Sequence, residues 1–317
     1  MIAFTRRQAV GGMAMLAVSP AFAAPLEYVI QPQVVADGIW VVRGADQGIE
    51  RANGGAIANI GIIATDAGTV LFDCGPSLRY GHALKAHAER LTGKPVVRVY
   101  LSHLHPDHLF AAGAFDPSIL AATQGAIDAL DQDKAGFSDG MYRLLGDWMR
   151  GTEVVRPGRI VSTDRESIGG RDFRLLALSG HSASDLALLD ERTGTLLAGD
   201  LVFHDRAPST PHADLKRWRG SLDQLTALGH ARVVPGHGPV DPTPLNAIAQ
   251  TRDWIDWLPV MLSGAIGRGL DMAEAGALAL PDRFASIAVA RYEYQRSISH
   301  LWADLESRMF PRIGGAE

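Results

Sequence analysis

The stretch SHLHPDH, residues 102–108, is unusually rich in potential metal ligands. It holds three of the 11 histidines of the chain together with one aspartate, namely His103, His105, Asp107 and His108. Imidazole nitrogens and carboxylate oxygens are the ligands that Zn²⁺ takes in open catalytic sites. The stretch therefore predicts a metal site, and the remaining ligands must come from other parts of the chain.

The backbone is expected to change from strand to turn within this stretch. The apolar run VVRVYLS, residues 96–102, is typical of a buried strand. In an extended chain, residues two apart point to the same side, so His103 and His105 share a side. Pro106 suits the first turn of a helix and redirects the two ligands that follow it. The stretch therefore offers two ligand pairs that point at two neighbouring metal positions.

Three further candidate ligands each lie at the end of a predicted strand. These are His181 after residues 173–179 (FRLLALS), Asp200 at the end of 195–200 (TLLAGD), and His237 after 232–236 (RVVPG). Gly236 and Gly238 flank the last of these histidines and permit a tight turn there. Because a sheet presents functional groups on the loops at its strand ends, we expect these side chains to meet the opening stretch.

Strands and helices alternate in both halves of the chain. Residues 38–44, 56–65 and 69–73 are predicted strands, the last two joined by a hairpin turn. Ser77 caps a predicted helix that runs to about Leu91, and a second helix is expected at about 215–228. From Thr243 onward the pattern is helical. Together, these elements predict a layered α/β sandwich with a helical C-terminal part.

Composition excludes some classes of function. The 317 residues are 47% hydrophobic and 21% charged, which is typical of a globular protein with a sizeable core. The formal net charge of -5 leaves no protein-wide basic field for nucleic acid or an anionic membrane. The single cysteine, Cys74, excludes a disulfide within the chain.

The first 23 residues have the features of an export signal. Arg6 and Arg7 precede the short apolar run 9–18, and residues 21–23 form a small-x-small cleavage site. The paired arginines resemble a twin-arginine signal, although an ordinary export signal fits as well. No later segment is apolar and long enough to span a bilayer. We therefore expect a periplasmic protein that has no membrane contact after cleavage of the signal.

Four motifs in this order resemble those of the metallo-β-lactamase superfamily: SHLHPDH, SGHSASD, AGDLVF and VPGHGP. The upstream VLFDCG also resembles the strand of that superfamily that ends in Asp-x-Gly. The likeness covers roughly residues 30–245. It implies a four-layer αββα sandwich, with a catalytic domain over residues 24–245 and a helical C-terminal extension over 246–317 that packs on it.

The resemblance also implies a role for each ligand. One metal would be held by His103, His105 and His181, and the second by Asp107, His108 and His237. Asp200 would bridge the two metals, and Asp73 would support the ligands as a hydrogen-bond acceptor. The implied enzyme is a binuclear zinc hydrolase in which a hydroxide shared by the metals attacks a carbonyl of an ester, lactone, thioester or β-lactam. Asp107 would orient the nucleophile or shuttle a proton.

A narrower resemblance concerns the ends of the chain. ANGGAIANIGIIAT, AFDPSILA and YEYQRSISHLWADLE are similar to segments of the quinoprotein relay system zinc metallohydrolases. These are exported members of the superfamily, associated with pyrroloquinoline-quinone dehydrogenases. The likeness implies a small-molecule substrate and a functional link to a quinoprotein dehydrogenase. The candidates for substrate contact are Arg206, His212, Tyr294 and Arg296.

Two other functions compete with a zinc hydrolase. The same fold serves iron oxidoreductases, and iron is a possible metal here, although flavodiiron proteins have a glutamate where this chain has His105. A non-enzymatic periplasmic accessory protein with a vestigial site is the other alternative. Superfamily nucleases often carry a large insertion between the third and fourth motifs, whereas His181 and Asp200 lie only 19 positions apart. With the acidic net charge, this spacing argues against nucleic acid as a partner.

Overall fold

A computed structural model describes residues 26–132 and 136–310. The predicted signal peptide lies outside these residues. Within them, a first sheet has seven strands in chain order: β1 (Pro32–Ala36), β2 (Ile39–Val42), β3 (Ile60–Ala64), β4 (Thr69–Phe72), β5 (Val96–Tyr100), β6 (Leu120–Ala122) and β7 (Arg159–Ile160). The pairs from β1 to β4 are antiparallel, and those from β4 to β7 are parallel.

The second sheet has five strands in the described part of the chain: β8 (Arg165–Ile168), β9 (Arg171–Leu178), β10 (Asp185–Asp190), β11 (Thr195–Phe203) and β12 (Arg232–His237). Their spatial order is β12-β11-β10-β9-β8, and only the β11–β12 pair is parallel. The pairing of β11 with β12 is irregular at Gly199, which has φ +52°. Such a bulge redirects the side chain that follows it, which here is Asp200.

Helices cover both sheets. They are α1 (Leu78–Thr92), α2 (Pro106–Leu109), α3 (Gln124–Gln132), α4 (Gly136–Leu145), α5 (Leu215–Thr226), α6 (Asn246–Gly267), α7 (Met272–Ala277), α8 (Asp282–Ala285) and α9 (Ala290–Met309). The Ser77 side chain accepts a hydrogen bond from the Tyr80 amide, as the sequence predicted, and Gly93 ends α1 in the left-handed region. None of the described helices has the length and apolarity that crossing a membrane requires.

Three apolar clusters show how the layers pack. Leu84 of α1 packs with Val99 of the first sheet in one cluster. A second cluster joins the two sheets and includes Ile63 and Leu188. The third lies between the second sheet and the C-terminal helices and includes Trp218 and Ile255. Three apolar interfaces between four layers make the fold an αββα sandwich with a helical C-terminal region, which confirms the fold class predicted from sequence.

A buried ion pair ties the two sheets together at one edge. The Arg171 guanidinium donates to both carboxylate oxygens of Asp190, and both side chains are almost completely buried. Its Nη1 also donates to the Ala64 carbonyl at the end of β3, at 3.0 Å. Arg171 therefore satisfies a buried carboxylate of the second sheet and a backbone carbonyl of the first.

Arg171→Met is expected to lower the free energy of unfolding by about 3–5 kcal/mol, because it leaves the Asp190 carboxylate buried without its partner. Chemical denaturation would measure this loss. Arg165→Met is the matched control, since it removes an ion pair with Glu191 in which the arginine is 63% exposed. Such a pair contributes at most about 1 kcal/mol. Equal losses in the two variants would contradict the prediction.

Candidate metal centre

The first group of potential ligands combines three histidines with one aspartate. Its members, all buried, are His103, His105, His181 and Asp200, whose ligand atoms lie within 4.8 Å of one another. Nδ1 of His105 is 2.9 Å from Nε2 of His103 and 2.9 Å from Nε2 of His181. The His181 Nε2 is also 3.2 Å from Asp200 Oδ2. The nitrogen atoms that face each other define a position for one cation.

A second group lies beside the first and consists of Asp107, His108 and His237. Oδ2 of Asp107 is 3.3 Å from His237 Nε2 and 3.5 Å from His108 Nε2. The Asp200 carboxylate faces this group as well, with Oδ1 at 3.1 Å from His108 Nε2 and Oδ2 at 3.2 Å from His237 Nε2. Asp200 therefore lies between the two groups, where a bridging ligand is expected.

Asp73, at the end of β4, organises the stretch that carries four of these side chains. Its Oδ1 accepts from the Ser102 amide at 2.7 Å, and its Oδ2 accepts from the Ser102 hydroxyl and from His108 Nδ1, both at 2.8 Å. The residue has φ +64°, a conformation that aspartate tolerates better than most residues. Because Nδ1 of His108 donates to Asp73, Nε2 is the nitrogen that faces the cluster and offers its lone pair once the ring is neutral.

Two other histidines are held in the same way. The Ser102 hydroxyl donates its proton to Asp73, so its oxygen accepts from His103 Nδ1 at 2.8 Å. His237 Nδ1 donates to the Ile57 carbonyl at 2.8 Å. In each case the acceptor selects the tautomer whose Nε2 carries the lone pair. The local hydrogen bonds thus prepare Nε2 of both histidines as ligand atoms.

The sequence did not predict several residues that position the ligands. The Asn59 side chain donates to the carbonyls of Pro235 and Gly238 and so fixes the turn that carries His237. Phe203, at the end of β11, stacks on the His237 ring at 5.3 Å with an interplanar angle of 11°. An asparagine before a strand and a phenylalanine at the end of another have no distinctive sequence signal.

The donor set and its unsatisfied atoms fit a metal. Among the described residues, His108 Nε2, His181 Nδ1 and Asp200 Oδ1 are buried without a partner that meets hydrogen-bond geometry. Burying polar atoms without hydrogen-bond partners is costly. Two of these atoms, His108 Nε2 and Asp200 Oδ1, face the interior of the two groups. Neutral imidazole and carboxylate are ligands suited to zinc and to other divalent transition metals. The two groups are therefore candidate metal sites.

The histidine pKa values shift in opposite directions in the two groups. Burial, with neighbouring imidazoles, holds the pKa of His103 and His105 well below the usual value, and burial lowers that of His181 to about 4. Burial acts the same way on His108 and His237, but carboxylates, chiefly Asp200, outweigh it and raise the pKa of both. The imidazoles of the first group therefore favour the neutral form, whereas those of the second favour the protonated form.

The substrate candidates divide into two sets. Arg206, His212 and Arg296 line the pocket above the metal groups. Tyr294 does not: it is fully buried in the C-terminal core, and its hydroxyl donates to the Ala275 carbonyl. The structure thus corrects the expectation for Tyr294, and the residue of α9 that lines the pocket in its place is Tyr292.

The family model of the metallo-beta-lactamase superfamily matches residues 53–237, more than half of the chain. The chain belongs to the metallo-beta-lactamase superfamily. The match ends at His237, the last candidate ligand, so the C-terminal helices lie beyond it. The narrower likeness to quinoprotein relay system hydrolases stays a prediction.

Individual relatives are distant. The beta-lactamase-like protein 2 homolog of Caenorhabditis elegans is 27% identical over 57% of this chain and 56% of its own length. The probable metallo-hydrolase YqjP of Bacillus subtilis is 26% identical over 53% of this chain and 63% of its own length. This chain thus spans between about half and two thirds of these curated relatives. A beta-lactamase domain protein from Burkholderia ambifaria has a similar fold, with a TM-score of 0.62 and 22% identity over 90% of this chain and 91% of that one.

Metal binding to this superfamily site is expected to release protons mainly from the second group. His108 and His237 must lose protons to become ligands, because their pKa values are raised, so the affinity of this group should increase as the pH rises. The histidines of the first group have lowered pKa values, so this group should lose affinity only at acidic pH. Calorimetric zinc titrations in buffers of different ionisation enthalpy would measure proton release at each step. Equal release at both steps would contradict the assignment.

Proposed function

We propose that the chain is an exported hydrolase that depends on two zinc ions and cleaves a carbonyl compound: an ester, lactone, thioester or β-lactam. The observation that carries this proposal is the pair of buried His/Asp groups joined by Asp200. When bound, two divalent metals lower the pKa of water and polarise a carbonyl oxygen. Export to the periplasm and a functional link to a quinoprotein dehydrogenase are parts of the proposal that rest on the sequence resemblance.

A cavity of about 310 Å³ gives a substrate access to the site. Its floor contains Asp107, Asp200 and His237, and its rim includes the half-exposed side chains of Leu144 and Tyr292. The Asp107 carboxylate is ionised, because His108 and His237 outweigh the effect of burial and hold its pKa well below the usual range. It can therefore accept a hydrogen bond from a water molecule and orient it.

One wall of the cavity carries a net positive charge. Arg296 donates from Nη1 to the buried Glu293 carboxylate at 3.1 Å and to the Ser209 hydroxyl at 3.1 Å. Arg206 is 2% exposed, donates to the Gln47 carbonyl and lies 4.0 Å from the same glutamate. Two guanidinium groups thus share one carboxylate. We infer that the wall favours a substrate that carries a negative charge besides the scissile carbonyl.

The hydrolase proposal predicts that His105→Ala removes most of the activity, because it removes a nitrogen from the first metal group. Profiling of zinc-loaded protein over esters, lactones, thioesters and β-lactams would identify a substrate, and kcat/KM for it should fall roughly 100-fold or more. His87→Ala, on the outer helix α1, is the matched control.

Metal analysis of the same samples tests the cofactor. Two zincs per chain support the proposal, whereas iron with a paramagnetic signal would favour an oxidoreductase. Zinc without hydrolysis of any of the four classes would favour an accessory role. Wild-type rates in a metal-depleted and reloaded His105→Ala variant would refute the ligand assignment.

The charged wall predicts a preference between two matched esters, para-nitrophenyl valerate and the para-nitrophenyl monoester of glutaric acid. They differ in a terminal carboxylate, so the wild-type protein should favour the glutarate. Arg296→Gln should lower kcat/KM for the glutarate by roughly tenfold or more, with little effect on the valerate, because a charge-assisted hydrogen bond is lost. Arg308→Gln, on the exposed end of the same helix, is the control. An equal fall for both esters would contradict a role in charge recognition.

A further inference from the structure

His105 differs from the other histidines of the centre in the nitrogen that it directs at the metal groups. Its Nδ1 lies inside the first group, 2.9 Å from the Nε2 atoms of His103 and His181. A nitrogen that binds a metal must offer its lone pair, so the proton of the neutral ring has to be on Nε2. This Nε2 lies 2.8 Å from Nδ1 of His212.

We propose that His212 is a positioning residue that accepts the Nε2–H of His105 and so holds this ligand in the tautomer and orientation that metal binding needs. The inference rests on the proposed function, because it assigns a role within the same metal centre. It also gives His212 a different task from the substrate contact that the sequence suggested. Acceptors that orient a metal-bound histidine typically change metal affinity by about 10–100-fold.

The acceptor of His105 comes from a different part of the chain than the other acceptors. His108, His103 and His237 are oriented by groups on residues 57–102. His212 belongs to the loop between β11 and α5, residues 204–214, which follows the Asp200 strand. The position of the His212 ring, and with it the orientation of His105, therefore depends on how this loop is held.

Contacts with the C-terminal extension hold the loop in place. The buried Thr210 hydroxyl donates to the Ser297 hydroxyl of α9 at 2.7 Å. The Ala207 amide donates to the Ala288 carbonyl at 3.0 Å, and the Ala288 amide donates to the Asp205 carbonyl at 2.8 Å. At its far end, the Asp214 amide donates to the Gly180 carbonyl, next to His181. The extension thus supports a ligand of the first metal group through one loop and one imidazole.

Backbone strain marks the same contact. Asp205 and Val289 both have positive φ, +49° and +51°, on the two segments that meet at the Arg206–Ala288 bridge. A β-branched residue in this region is a genuine outlier, and it persists only where its surroundings over-determine it. The surrounding structure therefore holds the junction between the loop and α9 in one defined conformation.

The test compares four variants of the full-length protein, three at histidines and one at Thr210. His212→Leu removes the acceptor, whereas His212→Asn keeps an oxygen close to the position of Nδ1. His82→Leu removes an exposed histidine of α1 that lies outside the pocket and serves as the control. Stepwise zinc affinities are measured by competition with a chelator, and the visible spectrum of the cobalt-substituted protein reports the ligand geometry.

We expect His212→Leu to weaken one of the two stepwise affinities about 10-fold or more and to alter the cobalt spectrum, with the other affinity unchanged. His212→Asn should restore both readouts to within about threefold of wild type, and His82→Leu should change neither. Thr210→Val, which loosens the loop from a distance, should weaken the same step as His212→Leu by a smaller factor.

Two results would overturn the inference in distinguishable ways. Unchanged zinc affinities and an unchanged cobalt spectrum in His212→Leu would overturn it alone and leave the proposed hydrolase intact. A wild-type protein that binds no divalent metal would overturn both. Equal weakening of both steps, with a lower unfolding temperature and no rescue by His212→Asn, would show that the loop has only a structural role and would also overturn the inference.

Discussion

The contact between the Asp200 carboxylate and three imidazoles is the interaction on which the metal centre depends. Its oxygens lie 3.1 Å from His108 Nε2 and 3.2 Å from Nε2 of both His181 and His237. A carboxylate that is 4% exposed is tolerated only where cationic groups or metals offset its desolvation. Because the three imidazoles come from both sheets, this requirement fixes how the edges of the two sheets meet.

Small residues make that arrangement possible. A Cβ atom on Gly236 would lie 2.0 Å from Asp200 Oδ1, and one on Gly199 would lie 2.8 Å from the Ser102 side chain. Neither position tolerates a side chain without moving a carboxylate or the stretch that begins at residue 102. The glycines beside Asp200 and His237 therefore leave the space in which the buried carboxylate approaches its neighbours, a role beyond the tight turn that the sequence suggested for Gly236.

The sequence was informative where local pattern and chemistry coincide. Apolar strands that end in histidine or aspartate can be recognised one at a time, and the sandwich then brings their ends together. Distances could not be predicted, because they depend on the pairing of β11 with β12 and on the irregularity at Gly199. The strands β6 and β7 were missed because they have only three and two residues, and β1 and β8 because none of their residues is fully buried, so they form no apolar run. Asn59 acts through backbone carbonyls far along the chain, which no local pattern reveals.

The error at Tyr294 has a geometric cause. Residues two apart on a helix are separated by about 200° around its axis, so Tyr292 and Tyr294 cannot both face the pocket. The choice depends on where α9 begins, and it begins directly after Val289, which has positive φ and makes no capping hydrogen bond. Tyr292, Glu293 and Arg296 consequently face the pocket together, at spacings of three and four residues.

The candidate metal ligands and the residues that α9 contributes to the charged wall come from different parts of the chain. The candidate ligands all lie at or before His237, where the family match ends, whereas Glu293 and Arg296 of the charged wall come from beyond it. Substitutions on α9 can therefore change the charge and shape of the pocket without removing a ligand. The loop 204–214 limits this independence, because it contacts α9 through Thr210 and the first metal group through His212. A change in α9 that moves this loop would affect the candidate metal groups as well as the pocket.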